Sequence, residues 1–120
     1  CYHNNMKIYK TPTHYILNPD CHEITPEMSD FLGIAYKSMP KDKSVAFDLS
    51  IVDTCSNKFF LMFEQISKIR DISIINMNEK IMASLCLMKY DKFVKIYTND
   101  IDLFEDKHEV KNRRFALVSV

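Results

Sequence analysis

Strand-like apolar runs alternate with amphipathic helical patterns along this chain, and that alternation limits the fold more than any other feature. The helical patterns repeat apolar residues at i, i+3, i+4 and i+7. Strands that alternate with helices imply right-handed crossovers and parallel strand pairing. The sequence therefore predicts an α/β fold: a mainly parallel mixed sheet with an antiparallel edge strand and about four helices. The strand-like runs are 6–10, 14–18, 44–49, 71–76 and 92–97.

Capping residues mark where the predicted helices begin. Thr25 is a good N-cap, and Pro26 behind it suits the first helical position. Asn78 caps the third helix, and Asn99 or Asp100 caps the last. These residues accept hydrogen bonds from backbone N–H groups that lack a partner inside the helix.

The apolar residues of the second and fourth helices predict which faces are buried. Residues 59–69 repeat with a helical period and predict one continuous helix 2. In the short last helix, we expect Ile101 and Phe104 to point inward.

Length and composition favour a single domain without a glycine-dependent active site. The chain has 120 residues, and its Lys plus Arg total of 16 equals its Asp plus Glu total. Zero net charge argues against a nucleic-acid binder that works through bulk attraction to phosphate. Average usage of about 7% would give roughly eight glycines, yet Gly33 is the only one. Gly-rich phosphate loops and the G-x-S-x-G nucleophile elbow are therefore excluded.

The cysteines indicate a reducing compartment, and we expect the protein in the cytoplasm. None of Cys1, Cys21, Cys55 and Cys86 forms a C-x-x-C pair, and Cys55 and Cys86 suit small buried hydrophobes. No apolar stretch is long enough to span a bilayer. The histidines near Cys1 and Cys21 fit no standard zinc spacing, so we expect no metal site.

The sequence predicts that the chain divides into three segments. Residues 1–5 suit a tag or the end of a preceding segment, and residues 6–106 form the predicted domain. Residues 107–120 are a C-terminal extension whose strand-like run, RRFALVSV at 113–120, suits an extra strand.

The turn between the strand at 44–49 and helix 2 is the candidate functional segment. It holds the hydroxyls of Thr54 and Ser56 directly before the helix. The simplest interpretation is that Ser56 is the N-cap of helix 2. Phosphorylation of Ser56 or Thr54 is an alternative, because a phosphate at a helix start adds about −1.5 to −2 charges where a partner can bind.

Three segments resemble the STAS domain, the family of anti-sigma-factor antagonists. HEITPEMSDFL at 22–32 is similar to the family's entry to helix 1, usually Thr-Ala-Pro-Glu-Leu after a polar residue and an apolar step. SVAFDLSIVD at 44–53 is similar to its third strand, commonly Val-Val-Leu-Asp-Leu-Ser. Residues 72–105 resemble its second half, and the resemblance covers roughly residues 6–106. It implies a STAS-like fold.

The family's phosphorylation motif is not preserved in this chain. Its Asp-Ser-Ser-Gly opens helix 2, and counting from Asp48 without a gap places those positions on Ser56, Asn57, Lys58 and Phe59. In switched family members, the second serine is phosphorylated by a partner kinase that is also the anti-sigma factor. Lys58 stands there and accepts no phosphate. The resemblance thus implies binding that is not switched at the usual serine.

The resemblance implies a non-enzymatic bacterial signalling domain that binds another protein and needs no cofactor. The expected contact residues are Thr54, Ser56, Asn57 and Lys58, beside the ITPEM entry at 24–28. The expected partner is an anti-sigma factor of the GHKL kinase type, with neither nucleic-acid binding nor membrane insertion.

Two alternatives stay open at this stage. STAS-like domains also occur as subunits or appendages of lipid ABC or sulfate-type transporters, where the partner would be a transporter ATPase subunit. A small nucleotide- or lipid-binding module would instead use Lys58 near the helix N-terminus to hold a phosphate.

Overall fold

The computed structural model describes residues 6–110, in which seven strands and five α-helices are present. The strands are β1 (Met6–Lys10), β2 (His14–Pro19), β3 (Glu23–Ile24), β4 (Ser44–Asp48), β5 (Thr54–Cys55), β6 (Ile72–Ile75) and β7 (Lys95–Tyr97). The helices are α1 (Pro26–Ser38), α2 (Asn57–Leu61), α3 (Phe63–Ile66), α4 (Glu79–Leu87) and α5 (Asp100–Glu105), and a 3₁₀ turn covers Asp91–Phe93.

The main sheet has five strands in the order β1-β2-β4-β6-β7. Strand β1 is antiparallel to β2 at one edge, and the other pairings in this sheet are parallel. Strands β3 and β5 form a separate parallel pair. The predicted α/β class, with a mainly parallel sheet and an antiparallel edge strand, is confirmed.

The two faces of the sheet are covered unequally. Helices α1 to α4 share one hydrophobic core with the sheet, whereas α5 packs on the opposite face through Leu103. Right-handed crossovers that all step the same way along a sheet keep their helices on one face. The strand order β2-β4-β6-β7 is such a progression, so among the elements of residues 6–110 the second face receives only the last helix.

An aromatic cluster forms the centre of the main core. Phe47 of β4 meets the ring of Phe59 edge-on at a centroid distance of 5.5 Å, and Phe59 meets Phe63 at 4.9 Å. Tyr36 of α1 stacks on Phe47 with ring centroids 6.3 Å apart. Edge-to-face pairs at these distances contribute about 0.5–1.5 kcal/mol each beyond burial. The cluster therefore anchors the α2 segment to the sheet.

Arg70 joins the end of α1 to the segment before β6. Its Nη2 donates to the carbonyl oxygens of Tyr36 and Met39, each at 2.8 Å, and its Nη1 donates to those of Pro40 and Lys43. The Tyr36 hydroxyl in turn donates to the Arg70 carbonyl at 2.6 Å. The guanidinium thus satisfies carbonyls that the C-terminal end of a helix leaves without partners.

Helix 2 is interrupted, contrary to the predicted continuous helix. The chain forms α2 and α3 with Met62 between them, and the Met62 carbonyl accepts from Gln65 and Ile66. The break preserves the apolar face, because Phe59, Phe60, Phe63 and Ile66 are all buried. Ile69 lies beyond α3 and is exposed.

Two further predictions about the second half are wrong. The strand predicted at 92–97 begins only at Lys95, because 91–93 form a 3₁₀ turn with Tyr90 and Phe93 in ring contact. In α5, Ile101 and Phe104 are exposed and Leu103 is buried. Leu103 is the buried contact of this short helix with the sheet, and Phe104 reaches the ring of His14 in β2 from a more exposed position.

The predicted terminal segments lie largely outside the described residues. Segment 1–5 and the strand-like run 113–120 lie outside the described residues. Beyond α5, the Val110 N–H donates to the Ile96 carbonyl of β7 at 2.8 Å. The start of the predicted extension at 107–110 therefore still contacts the sheet. Within residues 6–110, no helix has the length and apolar character needed to cross a membrane.

Candidate functional site

The small β3–β5 ladder places the starts of α1 and α2 next to each other. Ile24 pairs with Cys55, and the Ser56 N–H donates to the Ile24 carbonyl at 2.8 Å. Thr25 and Ser56, which follow the paired residues, are the N-caps of the two helices. The ITPEM entry and the Thr54–Lys58 turn therefore form one surface.

Both caps use a side-chain hydroxyl as an acceptor. Thr25 Oγ1 accepts from the Met28 N–H, and Ser56 Oγ accepts from the Lys58 N–H, each at 3.1 Å. The prediction that Ser56 is the N-cap is confirmed, and α2 begins at Asn57. A cap of this kind contributes about 1 kcal/mol.

The four predicted contact residues lie at the surface of this turn. Thr54, Asn57 and Lys58 are exposed, and Ser56 is half-buried. Lys58 Nζ lies 3.0 Å from Asp30 Oδ2 of α1, and both side chains remain about half exposed. An ion pair this open adds about 0–1 kcal/mol. It ties the side chains of two helices together but is easily exchanged for another partner.

Phe59 does not obstruct the turn. Its side chain is fully buried in the aromatic cluster, so its bulk lies inside the core. The exposed start of α2 therefore consists of small and polar side chains.

The back of the turn is held by hydrogen bonds to the neighbouring loop. Asn78 Nδ2 donates to the Asp53 carbonyl at 3.1 Å while its Oδ1 caps α4. The Asp53 carboxylate lies 3.1 Å from His22 Nδ1, and both side chains are exposed. Asp53 is thus placed in a surface pair rather than in a buried reactive site.

The cysteines near the turn are poor nucleophiles. Burial, with a smaller contribution from Cys21, raises the pKa of the Cys55 thiol to about 12. Burial also raises the pKa of Cys21, and the thiol rather than the thiolate is the unreactive form. Cys21 is buried, whereas Cys55 and Cys86 are only partly buried, which corrects the prediction that the latter two are the buried thiols.

A groove runs from this turn along the helices, and sequence reasoning missed it. We call it the α1–α2 groove; its volume is about 590 Å³. The available signal was Gly33, since an isolated glycine inside a helical pattern usually has a packing or functional reason. Nothing in the sequence pattern indicated that Asp30 and Lys58 would form an ion pair. The groove is lined by Ser29, Asp30, Gly33, Ile34, Lys37, Lys58, Leu61, Met62, Gln65 and Ile66.

A second polar cluster lies on the other face of the sheet. The Tyr97 hydroxyl donates to Asp106 Oδ1 at 2.5 Å, and burial together with this carboxylate raises the pKa of Tyr97. His14 packs against Phe104 with ring centroids 6.2 Å apart. Burial lowers the pKa of His14, although Asp106 opposes this shift. This cluster joins α5 to the sheet and is separate from the turn.

Within residues 6–110, no three His, Cys, Asp or Glu side chains come together as a set of metal ligands. Cys21, His22 and His14, which sequence reasoning considered together, do not form such a set. The Thr54–Lys58 turn carries hydroxyl, amide and ammonium groups, which suit hydrogen bonding to a partner.

The chain matches no protein-family model, and no curated protein matches it.

Proposed function

We propose that this chain is a non-enzymatic protein-binding domain of the STAS-like, anti-sigma-factor-antagonist type, acting in the cytoplasm. The observation that carries the proposal is the surface made by the starts of α1 and α2. It presents Thr54, Ser56, Asn57 and Lys58 at or near the surface, and Lys58 also lines the open α1–α2 groove. The bound protein is an anti-sigma factor of the GHKL kinase type.

The composition of this surface supports binding a protein. Protein interfaces combine an apolar centre with a polar rim and a few direct hydrogen bonds. Here Ile34 and Leu61 supply exposed apolar area, and the turn supplies the polar rim.

Binding to this partner is constitutive in our proposal. Lys58 occupies the position of the family's phosphorylated serine, and Ser56 Oγ is engaged as the helix cap. We expect incubation with the captured kinase and ATP to leave the mass of the protein unchanged. A phosphoryl group found on Ser56 or Thr54 would instead establish a switch displaced from the usual position.

The environment of Lys58 weighs against the nucleotide or lipid module. Its ammonium is already paired with Asp30 at 3.0 Å, and that carboxylate repels an incoming phosphate. A transporter subunit would use the same surface with an ATPase subunit as the partner. The identity of the captured protein separates that alternative from the anti-sigma-factor proposal.

The test is affinity capture from native lysate, identification of the bound protein and measurement of its affinity for variants. We expect Lys58→Glu to weaken binding by about tenfold or more, equivalent to about 1.4 kcal/mol, with the melting temperature nearly unchanged. Because Lys58→Glu also places two carboxylates side by side, the swap Asp30→Lys with Lys58→Glu restores the ion pair with reversed polarity. The swap should bind as weakly as the single variant.

The matched control is Lys7→Glu, which makes the same charge change in the edge strand β1. Lys7 pairs with Asn18 and lies on the face of the sheet opposite α1 to α4. If Lys58→Glu and Lys7→Glu both bind like the natural sequence, the start of α2 is outside the interface and the proposal is wrong.

A further inference from the structure

The walls of the α1–α2 groove are two helical stripes of the same spacing. Along α1 the stripe contains Asp30, Gly33, Ile34 and Lys37, at i, i+3, i+4 and i+7. The facing stripe repeats this spacing at Lys58, Leu61, Met62 and Gln65. The α1 side extends for roughly 10 Å, about two helical turns.

The missing side chain of Gly33 gives the groove its depth. A Cβ atom at Gly33 would lie 3.3 Å from Met62 Sδ, so α1 approaches the opposite wall closely at this point. Ser29 and Ile66 are buried at the bottom. Above this floor, Ile34 is 62% exposed and Leu61 is 48% exposed. Two large aliphatic side chains that line the groove thus remain open to solvent.

The backbone of the walls restricts what can bind there. The α1 wall is one helix, and the other wall is formed by the short helices α2 and α3, which meet at Met62. At that break the Met62 N–H donates to the Lys58 carbonyl and the Gln65 N–H donates to the Met62 carbonyl, so neither wall offers an edge to an added strand. An occupant must therefore satisfy its own backbone hydrogen bonds. An amphipathic helix does this while its apolar face enters the groove.

The charges of the groove select the polar residues of the occupant. At one end, Lys58 and Asp30 neutralise each other. At the other end, Lys37 has no ion pair with any carboxylate in the part of the chain that the structure describes. The lining therefore carries one uncompensated positive charge, which an acidic residue would complement.

We propose that the α1–α2 groove binds an amphipathic helix of the partner protein, with apolar residues against Ile34 and Leu61 and an acidic residue at Lys37. This inference rests on the proposed function and adds the form and chemistry of the segment that is recognised. The adjoining Thr54–Lys58 turn then contacts the polar side of the same partner.

The test is site-specific photocrosslinking of the full chain in native lysate. A benzophenone amino acid is placed at position 34, at position 57, or at position 101 as a control. Ile101 is the matched control, because it is 61% exposed and lies on α5 on the opposite face of the sheet. We expect crosslinks from positions 34 and 57 to the same protein and none to it from position 101.

The segment of the partner that crosslinks to position 34 identifies which residues bind in the groove. Mass spectrometry should map the position 34 crosslink to a segment with apolar residues at helical spacing and at least one Asp or Glu. As a synthetic peptide, that segment should bind the full chain, and Lys37→Glu should weaken binding by about tenfold. Replacing its acidic residue by Lys should restore binding to the Lys37→Glu variant. Absence of this rescue would overturn the charge assignment.

The remaining outcomes separate this inference from the proposed function. A crosslink from position 57 without one from position 34 would show that the partner's helix does not bind in the groove. The proposed function would remain supported. A position 34 crosslink to a second copy of this chain, or to a non-helical segment, also overturns the inference. Absence of crosslinks from both positions overturns both proposals.

Discussion

At the residue scale, Gly33 has two opposing consequences for α1. A glycine inside a helix costs about 1 kcal/mol relative to alanine, because it loses more backbone freedom on folding. Its missing Cβ also adds depth to the α1–α2 groove, where an added Cβ would lie 3.3 Å from Met62 Sδ. A flexible thioether can shift by a few tenths of an ångström with little strain.

We expect Gly33→Ala to raise the free energy of unfolding by about 0.5–1 kcal/mol, as measured by urea denaturation. The added methyl group should at the same time make the groove shallower and weaken partner binding. Lower stability in this variant would show that Met62 cannot move away, and that the helices are packed more rigidly than we infer.

At the element scale, the end of α1 depends on a side chain from a distant part of the chain. Arg70 donates to four carbonyl oxygens between residues 36 and 43, and its guanidinium lies over the Tyr36 ring with its carbon 5.1 Å from the centroid. Its Nε is buried without a hydrogen-bond partner. The forked guanidinium reaches several acceptors at once, which a lysine ammonium cannot do.

We expect Arg70→Lys to lower the free energy of unfolding by about 1–2 kcal/mol, because it removes donors from partly exposed carbonyl groups near the end of α1. Lys41→Ala, an exposed change in the same connection, is the control and should be nearly neutral. Urea denaturation measures both variants. Equal stability of the two variants would remove Arg70 from the contacts that hold α1 in place.

The elements themselves differ in how well local sequence predicts them. Caps depend on adjacent residues, so Thr25, Ser56 and Asn78 were all assigned correctly. The break at Met62 was missed because the apolar period continues through it. The inward positions of α5 were missed because one helical turn fits several orientations, and only contact with Tyr97 and the sheet selects Leu103.

At the scale of the whole molecule, the sheet divides the protein into a thick and a thin layer. In the described part of the chain, four helices cover one face, and α5 covers part of the other. His14 lies in this thin layer, where Thr13 Oγ1 is 2.7 Å from its Nδ1 and Phe104 faces its ring. Asp106 and Lys95 are the charged groups that act on it.

The lowered pKa of His14 makes stability depend on pH. Burial, the largest cause, favours the neutral imidazole in the folded state, so the unfolded chain binds the proton more readily. Stability should therefore be full above the unfolded value of 6.5 and fall as the pH drops below it. We expect His14→Gln to flatten the change in melting temperature between about pH 7.5 and 5.5. An equally steep profile in His14→Gln would assign the dependence to other groups.

The sequence by itself determined the α/β class, the antiparallel edge strand, the starts of α1, α2 and α4, and the turn before α2. These depend on periodicity and on side chains bonding to their own neighbouring backbone, which are local interactions. Only the tertiary structure decided that Lys58 pairs with Asp30, that Arg70 holds the end of α1, and that a groove opens beside Gly33. Each of these joins residues about 30 positions apart, and their proximity depends on how the helices pack on the sheet.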